Sequence, residues 1–370
     1  MSNALAERGY DVVAVGIEDK TGEPGFLVHK DVRFLNVGLG HSMKHTLMER
    51  IRRFFVWNRK KRHVYDRILR RRKQAALVKP VLEENPDIII CYNAEATLLL
   101  KVALDVKIPI ITMFHFDPVT ILGDLSTQEQ EVLKSCECIQ VLLPSYVGVT
   151  KNYINHDNIV CIGNVAPQLK TIYPLYENKV LINVARFDKL QKRQHLIIEA
   201  FNKIKKRFSD WRIEFWGEMN FNKRSVDYVN YCKSLVVKYG LEEQVHFCGT
   251  TENVIEKLKE ASIFVFPSAY EGLPLAHIEA MSTGLPSIGF KNCPAVNELI
   301  KDGSNGILCE ETVDAFALGL AELMDDVDKR KQYGLQAKND MNQYAPENIW
   351  DQWEELINKT VYDYKMDNTV

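Results

Sequence analysis

The sequence predicts an α/β protein of two doubly wound domains whose parallel sheets face a central cleft. Three observations predict it. Short apolar, β-branched runs alternate with longer helical patterns along nearly all of the 370 residues. The runs are continuously apolar rather than alternating, as strands covered by helices on both faces must be. They also form two series, parted by a polar, Tyr-rich stretch around 168–178, and two such series read as two layered domains.

In order, the first series is DVVAVGI (11–17), DVRFLNV (31–37), DIIICYN (87–93), IPIITMFH (108–115), CIQVLLPS (138–145) and IVCIGN (159–164). The second is KVLINVAR (179–186), RIEFWGE (212–218), VHFCGT (245–250), SIFVFPS (262–268) and LPSIGF (285–290). The expected domains are 1–170, 171–345 and a C-terminal helical segment, 346–370, as a candidate crossing back to the first domain. Within it, NIWDQWEELINKTVYDY (348–364) has amphipathic spacing. The chain opens on a helical pattern, SNALAERG, with Gly9 as its C-cap, and only then enters a strand. Doubly wound domains begin with a strand that lies mid-sheet, so the expectation is that the first domain lacks its first strand here and that the natural protein extends upstream.

Composition is that of an ordinary globular protein, 46% hydrophobic and 26% charged. No apolar run approaches the ~20 residues a membrane span requires, and no signal peptide is recognisable. Eight cysteines are scattered without a CxxC pair, which points to buried, reduced thiols and a cytoplasmic setting rather than a metal site. The net charge of −2 is unevenly spread: thirteen Lys/Arg fall between Lys44 and Lys73 against only Glu49 and Asp66.

Chemistry concentrates in SAYEGLPLAHIEAMSTGLPSIGF (268–290). A buried strand ends, AYEG turns, and PLAHIEAMSTG forms a helix, with Pro274 in its first turn and Gly284 as its cap. Gly272, Leu273 and the next amides therefore lie at a helix N-terminus, where free N–H groups and the helix dipole favour an anion. Glu271 stands just outside the helix, and Glu279 inside it leans back toward the same end. Two carboxylates would repel a phosphate, so they suit hydroxyls. The pattern fits a sugar–diphosphate–ribose ligand, with amides on the phosphates and a carboxylate at each sugar. Upstream, VARFDKLQKRQ places Arg186 at a strand's carboxyl end, with Lys192 and Arg193 in the next turn, all expected to point to one crevice. The competing reading of these cations is a solvated basic start to a helix. His277, inside the motif helix, reads as packing or surface.

With these residues in view, the chain resembles the retaining glycosyltransferases of family 4, which use sugar nucleotides on the GT-B fold of two Rossmann-like domains. E271-GLPLAHI-E279 resembles the family's E-x7-E motif, and VARF with Lys192 resembles the pair that grips the donor diphosphate. HFDP places His115 where the family often has an active-site histidine, and FCGT, with Gly249 and Thr250, resembles the loop lining the nucleotide base. WGEMN keeps Gly217 but not the second glycine of the usual Gly-x-Gly. The family's first strand and glycine-rich loop have no counterpart here.

The resemblance implies transfer of a sugar from a UDP- or GDP-sugar to a glycan or lipid-linked acceptor, with retained configuration, in bacterial cell-envelope polysaccharide or lipopolysaccharide synthesis. It implies Glu271, His115, Arg186 and Lys192 as the catalytic group. Donor binding would fall to Glu279, Gly272, Leu273, Pro274, Gly217, Gly249 and Thr250. Without an Asp-x-Asp, and with side chains to neutralise the diphosphate, no metal or other cofactor is expected. The segment IRRFFVWNRKKRHVYDRILRRRK (51–73) mixes cations with Phe54, Phe55, Val56 and Trp57. That mixture suits peripheral docking of 44–73 on an anionic membrane surface, against a solvated helix face. No nucleic-acid module accompanies it. Other readings stay open: a sugar-nucleotide-binding protein with little or no transfer, and an epimerase on the same fold.

Overall fold

A computed structural model of the chain describes residues 1–16, 27–37, 47–48, 50–51, 76–103, 108–123, 125, 127–170 and 176–368. Nearly all of the basic 44–73 segment falls outside them, as do Phe54, Phe55, Val56 and Trp57. Among the described residues, no helix is long and apolar enough to cross a membrane. The chain divides into two compact units, Met1–Ile162 with Trp350–Val370, and Gly163–Ile349.

The second unit carries strands β7 (Val180–Val184), β8 (Arg212–Trp216), β9 (Val245–Gly249), β10 (Ile263–Phe266), β11 (Ser287–Phe290) and β12 (Gly306–Cys309). They form one parallel sheet in the order β12-β11-β10-β7-β8-β9. The unit's first strand is central and the chain winds outward from it both ways, which is the doubly wound arrangement. The central strands β7 and β10 are almost wholly buried, as their unbroken apolar runs require. The amphipathic helices His195–Ile204 and Val313–Asp325 contribute Phe201, Ile197, Phe316 and Leu320 to the core they enclose.

Among the described residues, the first unit distributes its strands over two parallel sheets. β1 (Val12–Gly16) pairs with β2 (Val32–Asn36). A four-stranded sheet runs β3-β4-β5-β6, namely Ile89–Cys91, Ile110–Phe114, Cys138–Val141 and Ile159–Cys161. The long helix Pro346–Asp367 is fastened here: Arg8 bridges to Asp351 and Glu354 at 2.7 and 2.8 Å, and Lys365 reaches Asp87 at 3.5 Å. These contacts group the helix with the first unit from Trp350 on.

Two details differ from the expected layout. The division falls after Ile162 rather than after residue 170. The intervening segment is tied to the second unit by Asn164 donating to the Leu273 carbonyl at 2.9 Å and Ala166 N to the Tyr344 carbonyl at 2.8 Å. Strand β12 lies outside the expected runs, since its four residues hold only three apolar side chains, Ile307, Leu308 and Cys309. All eight cysteines are free thiols, six of them buried, while Cys161 and Cys248 are half-buried.

Candidate active site

Each functional segment of the second unit leaves the carboxyl end of a strand. The loop after β7 carries Arg186 to Arg193, and the turn after β10 carries Glu271. Because β7 and β10 are neighbours in the sheet, the two loops lie side by side.

Asp188 organises the first loop. Its carboxylate accepts from Leu190 N and Gln191 N at 2.9 and 2.8 Å, and its carbonyl accepts from Lys192 N and Arg193 N. This Asx-type turn brings Lys192 inward, where its ammonium donates to Glu271 Oε1 at 2.5 Å. Both partners are largely buried, with side chains 12% and 6% exposed. The ammonium also sits 5.2 Å from the centre of the Phe266 ring. A lysine this enclosed needs a counter-ion, and Glu271 supplies it.

Arg186 is exposed, and its guanidinium donates to Gln191 Oε1 at 2.6 Å. The structure corrects the expectation for Arg193, which does not join Arg186 and Lys192. Its guanidinium donates to the Pro267 and Ser268 carbonyls at 2.9 and 3.0 Å, pairs with Glu311, and lies over Phe290. Its backbone has φ +52°, a left-handed conformation a non-glycine residue adopts at some cost. The residue braces the strand end leading to the glutamate corner.

The motif helix runs Leu275–Thr283, one residue shorter at its start than expected. Pro274 is its N-cap, with ψ 114°, and not part of its first turn. The first intrahelical donors are His277 N and Ile278 N, both to the Pro274 carbonyl, so the amides before them have no acceptor in the helix. Gly272, Leu273 and Pro274 are buried there, and Gly284 ends the helix at φ +86°. Glu279 is half-buried, and burial raises its carboxyl above the usual range. Among the described residues, no hydrogen bond or ion pair engages its side chain. His277 is packing: fully buried, stacked on Phe264 at 5.4 Å and tilted on Phe266 at 5.5 Å, with neither ring nitrogen hydrogen-bonded among the described residues. Burial pushes its pKa down to about 3.

On the other side of β7, Gly217 follows β8 at φ +146°, and a Cβ there would sit 2.0 Å from the Ala185 carbonyl oxygen. Only glycine fits so close to the neighbouring backbone. Its N–H donates to the Gly249 carbonyl at 2.7 Å. Gly249 itself has φ +78°, and Thr250 beyond it is exposed. Arg186, Gly217 and Gly249 thus share one end of the sheet.

In the first unit, His115 follows β4 and stacks on Tyr92 at 5.6 Å with ring planes 10° apart. Among the described residues its buried Nε2 has no hydrogen-bond partner. Burial, and secondarily the charge of the amino terminus, lowers its pKa.

Sequence reasoning missed Gln191 and the pairing of Lys192 with Glu271. Doubly wound strand order carried the signal for both: it sets the unit's first and fourth strands adjacent, so their carboxyl-end loops must meet.

Residues 168–340 match the family model of the glycosyl transferases group 1. The chain is 24% identical to an uncharacterized glycosyltransferase of Haemophilus influenzae over 364 residues, 96% of this chain and 94% of that one. It is 25% identical to the N-acetyl-alpha-D-glucosaminyl L-malate synthase of Bacillus anthracis, over 76% of this chain and 77% of the other. Among solved structures, sucrose-phosphate synthase from Thermosynechococcus elongatus superposes with TM-score 0.78 at 17% identity, covering 97% of this chain and 91% of the other. HepE of Anabaena, in complex with UDP, superposes with TM-score 0.71 at 14% identity, covering 95% and 100%. Residues 168–340 thus resemble a glycosyl transferases group 1 domain, and the protein is a glycosyltransferase enzyme of the GT-B fold.

Proposed function

We propose that the protein is a retaining family 4 glycosyltransferase that moves a sugar from a UDP- or GDP-sugar to a glycan or lipid-linked acceptor. We place it in cell-envelope polysaccharide or lipopolysaccharide synthesis. The observation that carries the reading is the Lys192–Glu271 pair, held at 2.5 Å beside Arg186 at the carboxyl ends of adjacent strands. A cation, a carboxylate and helix-start amides that have no acceptor within the helix suit a ligand that alternates anion and hydroxyls. The fact that HepE of Anabaena holds UDP supports the same reading.

In this reading the acceptor hydroxyl oxygen bonds to the anomeric carbon as the bond from that carbon to the phosphate oxygen breaks. The leaving diphosphate takes the acceptor's proton on the same face of the sugar. Arg186, Lys192 and the helix start stabilise the charge that gathers on the diphosphate. Glu271 orients the donor sugar. Glu279, with no partner among the described residues, receives the ribose hydroxyls. Gly272, Leu273 and Pro274 bring backbone to the phosphates, and Gly217, Gly249 and Thr250 line the base. The role of His115 on donor sugar or acceptor rests on the family resemblance alone. Side-chain neutralisation of the diphosphate leaves no step that needs a metal, so transfer should survive EDTA. Work beside the cytoplasmic face of a membrane, docked through 44–73, is part of the proposal; equal binding to neutral and anionic vesicles would remove it.

Thermal shift with UDP, GDP, ADP and CMP, on the parent and on Glu279→Gln, tests the donor site. One diphosphate should raise the melting temperature of the parent and shift the variant far less. Equal shifts in both would take Glu279 out of the site, and no shift with any nucleotide would overturn the donor reading.

A further inference from the structure

We propose that Gln191 is a positioning residue that locks Arg186 and the Glu271 turn into one register. The inference rests on the donor site proposed above and adds to it the residue that holds its two halves together.

Gln191 is 8% exposed and bonded through every polar group it has. Its side-chain Oε1 accepts from Arg186 at 2.6 Å, and its Nε2 donates to the Tyr270 carbonyl at 3.2 Å, one residue before Glu271. Its backbone carbonyl accepts from Ala269 N at 2.8 Å, and its own N–H donates to Asp188. The next residue is Lys192, paired with Glu271. One amide therefore touches the exposed cation on one side and the carboxylate's turn on the other. Gln194 completes the brace by donating to the Arg186 carbonyl at 3.0 Å, which fixes the backbone but not the guanidinium.

The position demands an amide of this length. The side chain must accept from a guanidinium and donate to a carbonyl at once, and only Asn and Gln carry a donor and an acceptor on one planar terminal carbon. Asn is one methylene short. Glu keeps the acceptor for Arg186 but has no donor for Tyr270, and it adds an anion that competes with phosphate for the guanidinium. Arg186 is exposed, so without Gln191 its long side chain recovers its rotamer freedom and reaches a phosphate only after losing it again.

The test is a double-mutant cycle on nucleoside diphosphate binding, with UDP and GDP as probes and Gln191→Met, Arg186→Ala and the double variant. Met keeps the volume and removes both hydrogen bonds. Each single variant should weaken diphosphate binding by about tenfold, and the double variant no more than Arg186→Ala alone, because Gln191 acts through Arg186. With a donor sugar, Gln191→Met should also lower kcat, since the Glu271 turn loses its tether. Should Gln191→Met fold poorly, Gln191→Glu replaces it, and its affinity should fall below the parent's although the bond to Arg186 survives. Parent-like affinity in Gln191→Met, or losses that add in the double variant, would overturn the role of Gln191 and leave the donor site standing. Equal binding by the parent and Arg186→Ala would overturn the donor site itself, and the role of Gln191 with it.

Discussion

Removing the charge of Lys192 isolates its part in stability from the part in catalysis proposed for it. In Lys192→Met the carboxylate of Glu271, whose side chain is 6% exposed, keeps its burial and loses its cation. Breaking an enclosed ion pair from one side costs about 3–5 kcal/mol when both charges are fully buried. Lys192 retains 12% exposure, so the lower end, about 3 kcal/mol, is the better figure. In a domain of this size that is a fall of about 6–12 °C in melting temperature. Glu271→Gln on top of it leaves no buried charge, and neutral replacements of buried pairs are often close to isoenergetic with the original. The double variant should thus recover at least half of the loss. Transfer should stay abolished in Lys192→Met, in Glu271→Gln and in the pair. The assay is thermal and urea unfolding of all four proteins, alongside donor turnover. A single variant melting within about 1 °C of the parent would refute the burial argument. Recovery of transfer in the double variant would refute the assignment of either residue to chemistry.

Other perturbations separate structure from ligand binding. His277 is buried neutral, so the unfolded chain takes up a proton that the fold refuses, and stability is lost as pH falls from the ordinary histidine range toward about 3. At pH 5 that costs about 2 kcal/mol, and His277→Leu should close the gap to the parent's pH 7 stability; parallel pH curves for the two proteins would refute it. Gly217→Ala, which drives a Cβ into the Ala185 carbonyl, should cost about 2–4 kcal/mol. Gly249→Ala, with open space around it but φ +78°, should cost about 1 kcal/mol; the reverse order in urea unfolding would contradict the geometry. Glu279 has its carboxyl raised by burial, so its ionisation opposes folding once pH rises through that raised value. Glu279→Gln should therefore melt higher than the parent at neutral pH and lose the advantage on acidification, while nucleotide binding falls.

The strands were legible because parallel strands buried on both faces leave unbroken apolar runs, and every predicted run has its strand. The layering of the first unit was less so: its two sheets differ in the pairing of edges, and β1 and β3 read alike whichever strands they bond. The glutamate corner was legible because local chemistry writes it. A strand end, a glycine, a proline and a glycine cap fix a helix start within a few residues, and Glu271 and Glu279 follow from it.

The contacts that turn this corner into a site are of another kind. Lys192 meets Glu271 across 79 residues, and Arg193 meets the Pro267 carbonyl across 74. No periodicity links such positions; only the order of strands in the sheet does, and that order follows from the doubly wound rule rather than from any local pattern. Local rules were even misleading at Arg193, whose left-handed backbone is a conformation for which the sequence would lead one to expect glycine. Its guanidinium explains the exception, since two carbonyls and Glu311 together hold it. The cation paired with Glu271 and the cation bonded to the Pro267 and Ser268 carbonyls are adjacent in sequence and of the same charge. What distinguishes Lys192 from Arg193 is that β10 offers a carboxylate to one and carbonyls to the other, so the assignment of the basic turn depends on the strand beside it.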